Sequence, residues 1–333
     1  MFRVIRLAGK FALPMPFAEI LVSNRFFQGE GLTTVAEGLV APWARRAARV
    51  VTDDGQLVAE FDVVQGSNLA GEPRDEIVFE EFESIKLPPN FRAIMAMTRV
   101  SSMCGGLEKL LELTIDYVGE RKQFGRPIWG FQAVQHNVAR MAGEVAASIR
   151  ASDAAIKAMD TNRFVLQVAA AKARVGEAAG IVAEIAHQAH GAMGFTHEHE
   201  LHQYTRRLWA WRDEYGHETE WQQLIGRQVA AVGAERAWAL NFLTVQASQR
   251  MPRLLAEEPG RADQRDLIIA LNASFGGKGF FGLELCGRGF PYFVSIVGES
   301  RRPIPSRLLE ALLVIELGVM AATRDEFGVI ANL

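Results

Sequence analysis

The sequence predicts an α+β fold that is mainly α: a four-helix bundle preceded by a small β unit. Three observations predict it. Apolar residues recur three and four apart in consecutive stretches between Met97 and Ile185. Short β-branched runs cluster between Val40 and Phe82 among turn-forming residues. The chain has 333 residues, 49% of them hydrophobic, enough to bury a large core in more than one structural unit.

The first segment, MFRVIRLAGKFALPMPFAEI, is basic and marked by Pro14 and Pro16. Lys10 and the two prolines interrupt any secretory apolar region, so no signal peptide is read there. The spacing from Phe17 to Phe27 suits one short helix. AARVVT, LVAEFDVV and EIVFEEF then read as strands, punctuated by DDG at 53–55 and by GSNLAGEPRD, which predicts a hairpin with further strands.

Beyond Pro88-Pro89, the positions Met97, Val100, Met103, Leu107, Leu111, Ile115 and Val118 share one helical face, in a helix predicted to end near Gly125. Phe131, Val134, Val138, Met141, Val145 and Ile149 repeat the pattern. So do Val168, Ala171, Val175, Ala178, Val182 and Ile185. A fourth helical segment is expected from Trp209 to about Phe242, and short connections imply antiparallel bundle packing. AEEPGRADQRD reads as a linker and FGGKGFFGLELCGRGF as a flexible glycine-rich stretch lacking the GxxxxGK[ST] order of a phosphate loop. Leu308–Ala322, too short and too charged to span a bilayer, reads as a buried or interface helix.

The formal charge of −3 supplies no basic field for nucleic acid or an anionic membrane, so neither partner is expected. Cys104 and Cys286 form no disulfide framework or metal clip, which points to a reducing cytoplasm. Six of the seven histidines lie between His187 and His217. His197 and His199 have neither helical nor paired-ligand spacing, and no metal site is read there.

Two segments carry chemistry. In YVGERKQFGRPIWGFQAVQHNVARMA, residues 117–142, Arg121 and Gln123 come where a long helix turns, while Phe124 and Phe131 offer flat apolar surfaces. Guanidinium on phosphate and aromatic against a ring suit a dinucleotide, although the two polar residues could equally cap a helix end. In HQAHGAMGFTHEHELHQYTRR, residues 187–207, small residues allow a cofactor to approach the backbone.

Both segments resemble signatures of the acyl-CoA dehydrogenases. LPMPFAEILVSNRFF and NLAGEPRDEIVFEEF extend the resemblance, more weakly, to about residues 8–245. The resemblance implies FAD as cofactor, contacted by Arg121, Gln123, Phe124, Phe131, Val134, Gln188, Gly191 and Ala192, the last standing where the family usually has a second glycine. In the family this FAD is held mainly by a neighbouring subunit. An acyl-CoA substrate, an electron-transfer flavoprotein or similar acceptor, and a homo- or hetero-oligomer with another acyl-CoA dehydrogenase chain are also implied.

The implied organisation is a remnant of the N-terminal helical domain at 1–37, a reduced middle β domain at 38–87, a C-terminal FAD-binding helical domain at 88–245, and an unassigned extension at 246–333. The implied reaction is α,β-desaturation to a trans-2-enoyl-CoA, which needs a desolvated carboxylate to remove the α proton. Tyr215 falls at the family's usual base position and Met95 at the minority position, so neither carries an acid. Glu214, then Asp213, are the nearest candidates, against a reading of WRDEYGHETEW as a solvated helix start. The rival function is a non-catalytic partner subunit of a heteromeric dehydrogenase.

Overall fold

The computed structural model describes residues 1–27 and 29–233, together with the backbone of two strands at Ala270–Ser274 and Phe280–Glu284. The chain divides into two compact units, Met1–Leu243 and Thr244–Leu333.

The first unit is α+β and mainly α. Helices α1 (Phe2–Lys10) and α2 (Phe17–Phe26) lead into seven short strands, β1 (Thr33–Val35), β2 (Val40–Pro42), β3 (Arg49–Val51), β4 (Gln56–Val58), β5 (Asp62–Val64), β6 (Arg74–Val78) and β7 (Glu83–Ser84). One sheet runs β1-β3-β4-β7, with β1 and β3 parallel. A second runs β2-β6-β5 and is antiparallel throughout. The DDG sequence does close the β3–β4 hairpin, with Gly55 at φ +92°. Ala36, Ala41, Ala44, Val50 and Ile77 give this unit its own small core.

The bundle consists of α3 (Phe91–Glu120), α4 (Gln132–Lys157), α5 (Phe164–His190), α6 (Leu201–Asp213) and α7 (Glu218–Val232). On α5 all six residues expected on the apolar face are buried. Helix α3 departs from a one-faced stripe: from Ala93 to Leu107 every side is buried, whereas Ile115, expected in the core, is 43% exposed. The cause is that α1, α4, α5 and α6 surround the first half of α3, leaving only its second half amphipathic.

Helix α1 was not expected, because its arginines and the following prolines mask a stripe made of Phe2, Ile5 and Gly9. That stripe lies directly on α3. A Cβ on Gly105 would stand 1.9 Å from the Arg6 carbonyl oxygen, and one on Gly9 would stand 2.2 Å from the Ser102 carbonyl oxygen. Arg6 then donates to Asp153 at 2.6 Å and Ser152 at 3.1 Å on α4, which uses the charge that hid the helix.

Two boundaries differ from expectation. Helix α3 ends at Glu120, five residues before Gly125, because residues 122–127 form a tight hairpin, β8 (Lys122–Gln123) with β9 (Arg126–Pro127). The single helix expected from Trp209 is two helices, α6 beginning at Leu201, broken where Tyr215 and Gly216 take φ +58° and +96°.

In the second unit, β10 (Ala270–Ser274) and β11 (Phe280–Glu284) pair antiparallel, so the expected loop includes a strand. The linker at 256–266 and the apolar helix at 308–322 lie outside the described residues. Among the described residues no helix is long and apolar enough to cross a membrane.

Replacing Gly105 with alanine is expected to lower stability by about 1–3 kcal/mol, since the added methyl meets backbone that cannot swing away. Chemical denaturation of Gly105→Ala beside Gly106→Ala, whose Cβ meets only the Leu208 side chain at 3.4 Å, checks this.

Candidate functional site

Two places in the first unit bring chemical groups together. One is the end of the bundle where α3 and α5 both stop. Tyr117, one turn before the end of α3, stacks on His190 with ring centroids 4.3 Å apart. Its hydroxyl donates to the His190 carbonyl at 3.2 Å. This contact fixes the start of the Arg121 hairpin beside the end of α5, so the two segments singled out in the sequence meet at one end of the fold.

On the hairpin, Arg121, Gln123 and Phe124 are exposed. Phe124 sits at the tip at φ +52° and is 91% exposed, a costly position for an apolar ring without a ligand. Phe131 meets it edge to face at 6.1 Å and carries the Arg126 guanidinium 4.2 Å above its ring. Val134 is half-buried in the first turn of α4.

On the facing segment, Gln188 and Ala192 are exposed, and Gly191 at φ +57° has nothing within 4 Å of where a Cβ would stand. His187 stacks on the exposed Phe195 at 4.7 Å. Burial pushes the pKa of both His187 and His190 down, which favours the neutral rings. Among the described residues no three metal-ligating side chains converge.

The other place is the turn from Arg212 to His217. Glu214 extends inward rather than toward solvent. Its carboxylate accepts from Arg74 Nε at 2.8 Å, from Asn68 Nδ2 at 3.4 Å and, closely, from Arg99 Nε. Arg99 in turn pairs with Glu19 of α2, and Arg74 with Glu72, which also holds Arg207 at 3.0 Å and the Trp211 indole at 2.9 Å. Burial alone would raise the Glu214 pKa, but the two arginines outweigh it and hold the carboxyl below the usual range. Such a carboxylate is a poor proton acceptor, and the geometry speaks against Glu214 as the base. Asp213 points outward, 72% exposed, with a single weak contact to Arg212 at 3.9 Å.

Several groups hold the strained turn in place. Lys172, buried on α5, donates to the carbonyls of Arg212 at 2.6 Å and Gly216 at 2.8 Å. Burial lowers its pKa to about 8 against the opposing pull of Glu218 and Glu214. The Trp221 indole donates to the Tyr215 carbonyl at 3.1 Å, and the Tyr215 N–H donates to Glu37 at 2.7 Å.

Sequence reading did not single out Arg99, Arg74, Lys172, Glu37 or Tyr117. A signal existed for one of them: Arg99 is the lone charge in the helical run from Ala93 to Leu107.

The family profile described as Acyl-CoA dehydrogenase, C-terminal domain, matches residues 91–216, from the first residue of α3 to the glycine of the strained turn. Residues 91–216 are therefore similar to the C-terminal domain of the acyl-CoA dehydrogenases. The chain is 33% identical to acyl-CoA dehydrogenase IpdE2 of Mycobacterium tuberculosis over 174 residues, 52% of this chain and 51% of that one. It is 33% identical to glutaryl-CoA dehydrogenase of Desulfococcus multivorans over 159 residues, 46% of this chain and 38% of the relative. It therefore spans about half the length of the first relative and less of the second. The fold is similar to that in the ChsE4-ChsE5 complex of Mycobacterium tuberculosis, with TM-score 0.57 and 20% identity over 69% of this chain and 80% of that one. The matched stretch spans α3 to α6 and ends at the turn, whose chemistry has to be read from this chain's own residues.

Glu214→Gln is expected to destabilise the fold by about 3 kcal/mol, the low end for breaking a buried pair because Glu19 still faces Arg99. The folded pKa of Glu214 lies below its ordinary 4.5, so its stabilisation is present above that pH and lost as pH falls through the folded value. Acid unfolding should accordingly be less steep in Glu214→Gln than in wild type, measured by circular dichroism.

Proposed function

We propose that this chain is an FAD-dependent acyl-CoA dehydrogenase subunit that works in an assembly with another dehydrogenase chain, homologous or identical. The observation that supports this best is the Tyr117–His190 contact, which sets the Arg121 hairpin beside the open Gly191 turn. The residues fit a dinucleotide: an exposed ring at Phe124, a free-standing guanidinium at Arg121, an amide at Gln123, and a glycine with no side-chain neighbour. In this reading Arg121 engages the diphosphate and Phe124, with Phe131 behind it, covers a flat ring. Gln188, Gly191 and Ala192 form the opposite wall. When bound, FAD supplies the two-electron oxidant of the desaturation.

Residues 1–37, 38–87 and 88–245 serve in this reading as the reduced N-terminal, middle β and C-terminal helical parts of the family architecture. The substrate is an acyl-CoA thioester, and an electron-transfer flavoprotein or similar carrier takes the electrons onward. A second reading, a partner subunit without its own turnover, is favoured by the ion pairs that engage Glu214 and by Tyr215 at the family's base position.

The visible absorption spectrum of the full chain, purified alone and with a co-expressed dehydrogenase partner, tests the proposal. A flavin band is expected in at least one preparation, and Arg121→Ala combined with Phe124→Ala should remove it while leaving the helical circular dichroism unchanged. A colourless protein in both preparations would sink the reading. Turnover of acyl-CoA with an artificial acceptor only on co-expression, unaffected by loss of Glu214 and Glu37 here, would establish the partner-subunit alternative.

A further inference from the structure

We infer that Glu37, delivered from the β unit, is the carboxylate that exchanges the α proton of a bound acyl thioester; this rests on the functional reading above. The bundle keeps no acid where the family keeps one, since Tyr215 occupies that position. Yet a carboxylate from elsewhere in the chain stands against that same residue: Glu37 Oε2 accepts the Tyr215 backbone N–H at 2.7 Å. Among the described residues this is the only side-chain hydrogen bond Glu37 makes, so its second carboxylate oxygen accepts none there and is left for a ligand. The side chain is half-buried, neither sealed in the core nor fully solvated.

The turn is held in a manner that suits a working site. Tyr215 is a non-glycine residue at φ +58°, and Lys172, Trp221 and Glu37 each bond to the strained segment. A backbone outlier fixed by several independent bonds is a common mark of a functional position. Gly216 takes φ +96°, and a Cβ there would also lie 2.9 Å from the Trp221 indole nitrogen, so a side chain is disfavoured.

Electrostatics separate Glu37 from Glu214. Burial raises the Glu37 pKa, the Tyr215 N–H lowers it, the Glu214 charge from the turn raises it, and Arg99 and Arg92 from α3 lower it, with a net rise. Two arginines grip Glu214 directly and make it a weak base, whereas Glu37 keeps more basicity. In the exchange, one Glu37 oxygen takes the α proton as the C–H electron pair becomes the double bond between the α carbon and the carbonyl carbon and the carbonyl π pair moves onto its oxygen, giving an enolate. The resulting carboxylic acid trades its proton with solvent and returns one to the α carbon, restoring the thioester with no oxidant consumed.

The test is α-hydrogen exchange of butyryl-CoA in D2O, followed by NMR, using the full chain with its flavin and any co-purifying partner. Wild type should exchange, with a pH profile that rises through a midpoint above the 4.5 of an ordinary glutamate. Glu37→Gln should lose roughly 10²- to 10⁴-fold of that rate while keeping its visible flavin band and its affinity for butyryl-CoA. A Glu37→Gln protein that exchanges like wild type would overturn the assignment. So would a wild type that binds flavin and butyryl-CoA without exchange, or one whose midpoint lies at or below the ordinary 4.5 of a glutamate, a measurement that stands even if the variant does not fold. Failure of the wild type to bind either molecule would instead bring down the functional reading, and this inference with it.

Discussion

The ion pair between Arg99 and Glu214 is the constraint on which the arrangement of the first unit depends. Arg99 is 4% exposed in the first third of α3, in a stretch that offers it no acidic partner along its own helix. An unpaired guanidinium there would be prohibitively unfavourable, so acids must reach it from outside the helix. One comes from α2 as Glu19 and one from the turn after α6 as Glu214. Glu214 then needs more than one cation, and Arg74 of β6 meets it. One buried charge thus fixes the positions of the N-terminal helices, the β unit and the end of the bundle. A cleft bordered by Leu13, Met15, Trp43, Arg74, Arg99 and Trp211 lies where these three parts meet.

Much of the bundle was legible in the sequence because α4 and α5 bury a regular stripe and leave the rest of their surface polar. Helix α1 was not, since its buried stripe includes a glycine and its arginine is satisfied 147 residues away, by Asp153. The break at 214–217 was missed for a similar reason. Apolar spacing continues through Trp211, Tyr215 and Trp221, but the conformation of Tyr215 is set by bonds from Lys172, Glu37 and Trp221, none of which periodicity can show.

The candidate site divides the same way. The residues at the open end of the bundle sit in two short local motifs and could be named from those motifs alone. Their proximity could not, because it depends on Tyr117 and His190, 73 positions apart. Glu214 was chosen for its nearness to the family position along the chain. What decides its chemistry is nearness in space to two arginines, from α3 and β6.

Helix α5 connects the two places where chemistry gathers. Near its start Lys172 grips the strained turn, and at its far end His190 packs under the hairpin. Between them the helix rises about 27 Å at 1.5 Å per residue, without a proline or a recorded break. It therefore acts as a ruler. The distance between whatever is held at the hairpin and whatever is held at the turn of one chain is thereby set by a single helix.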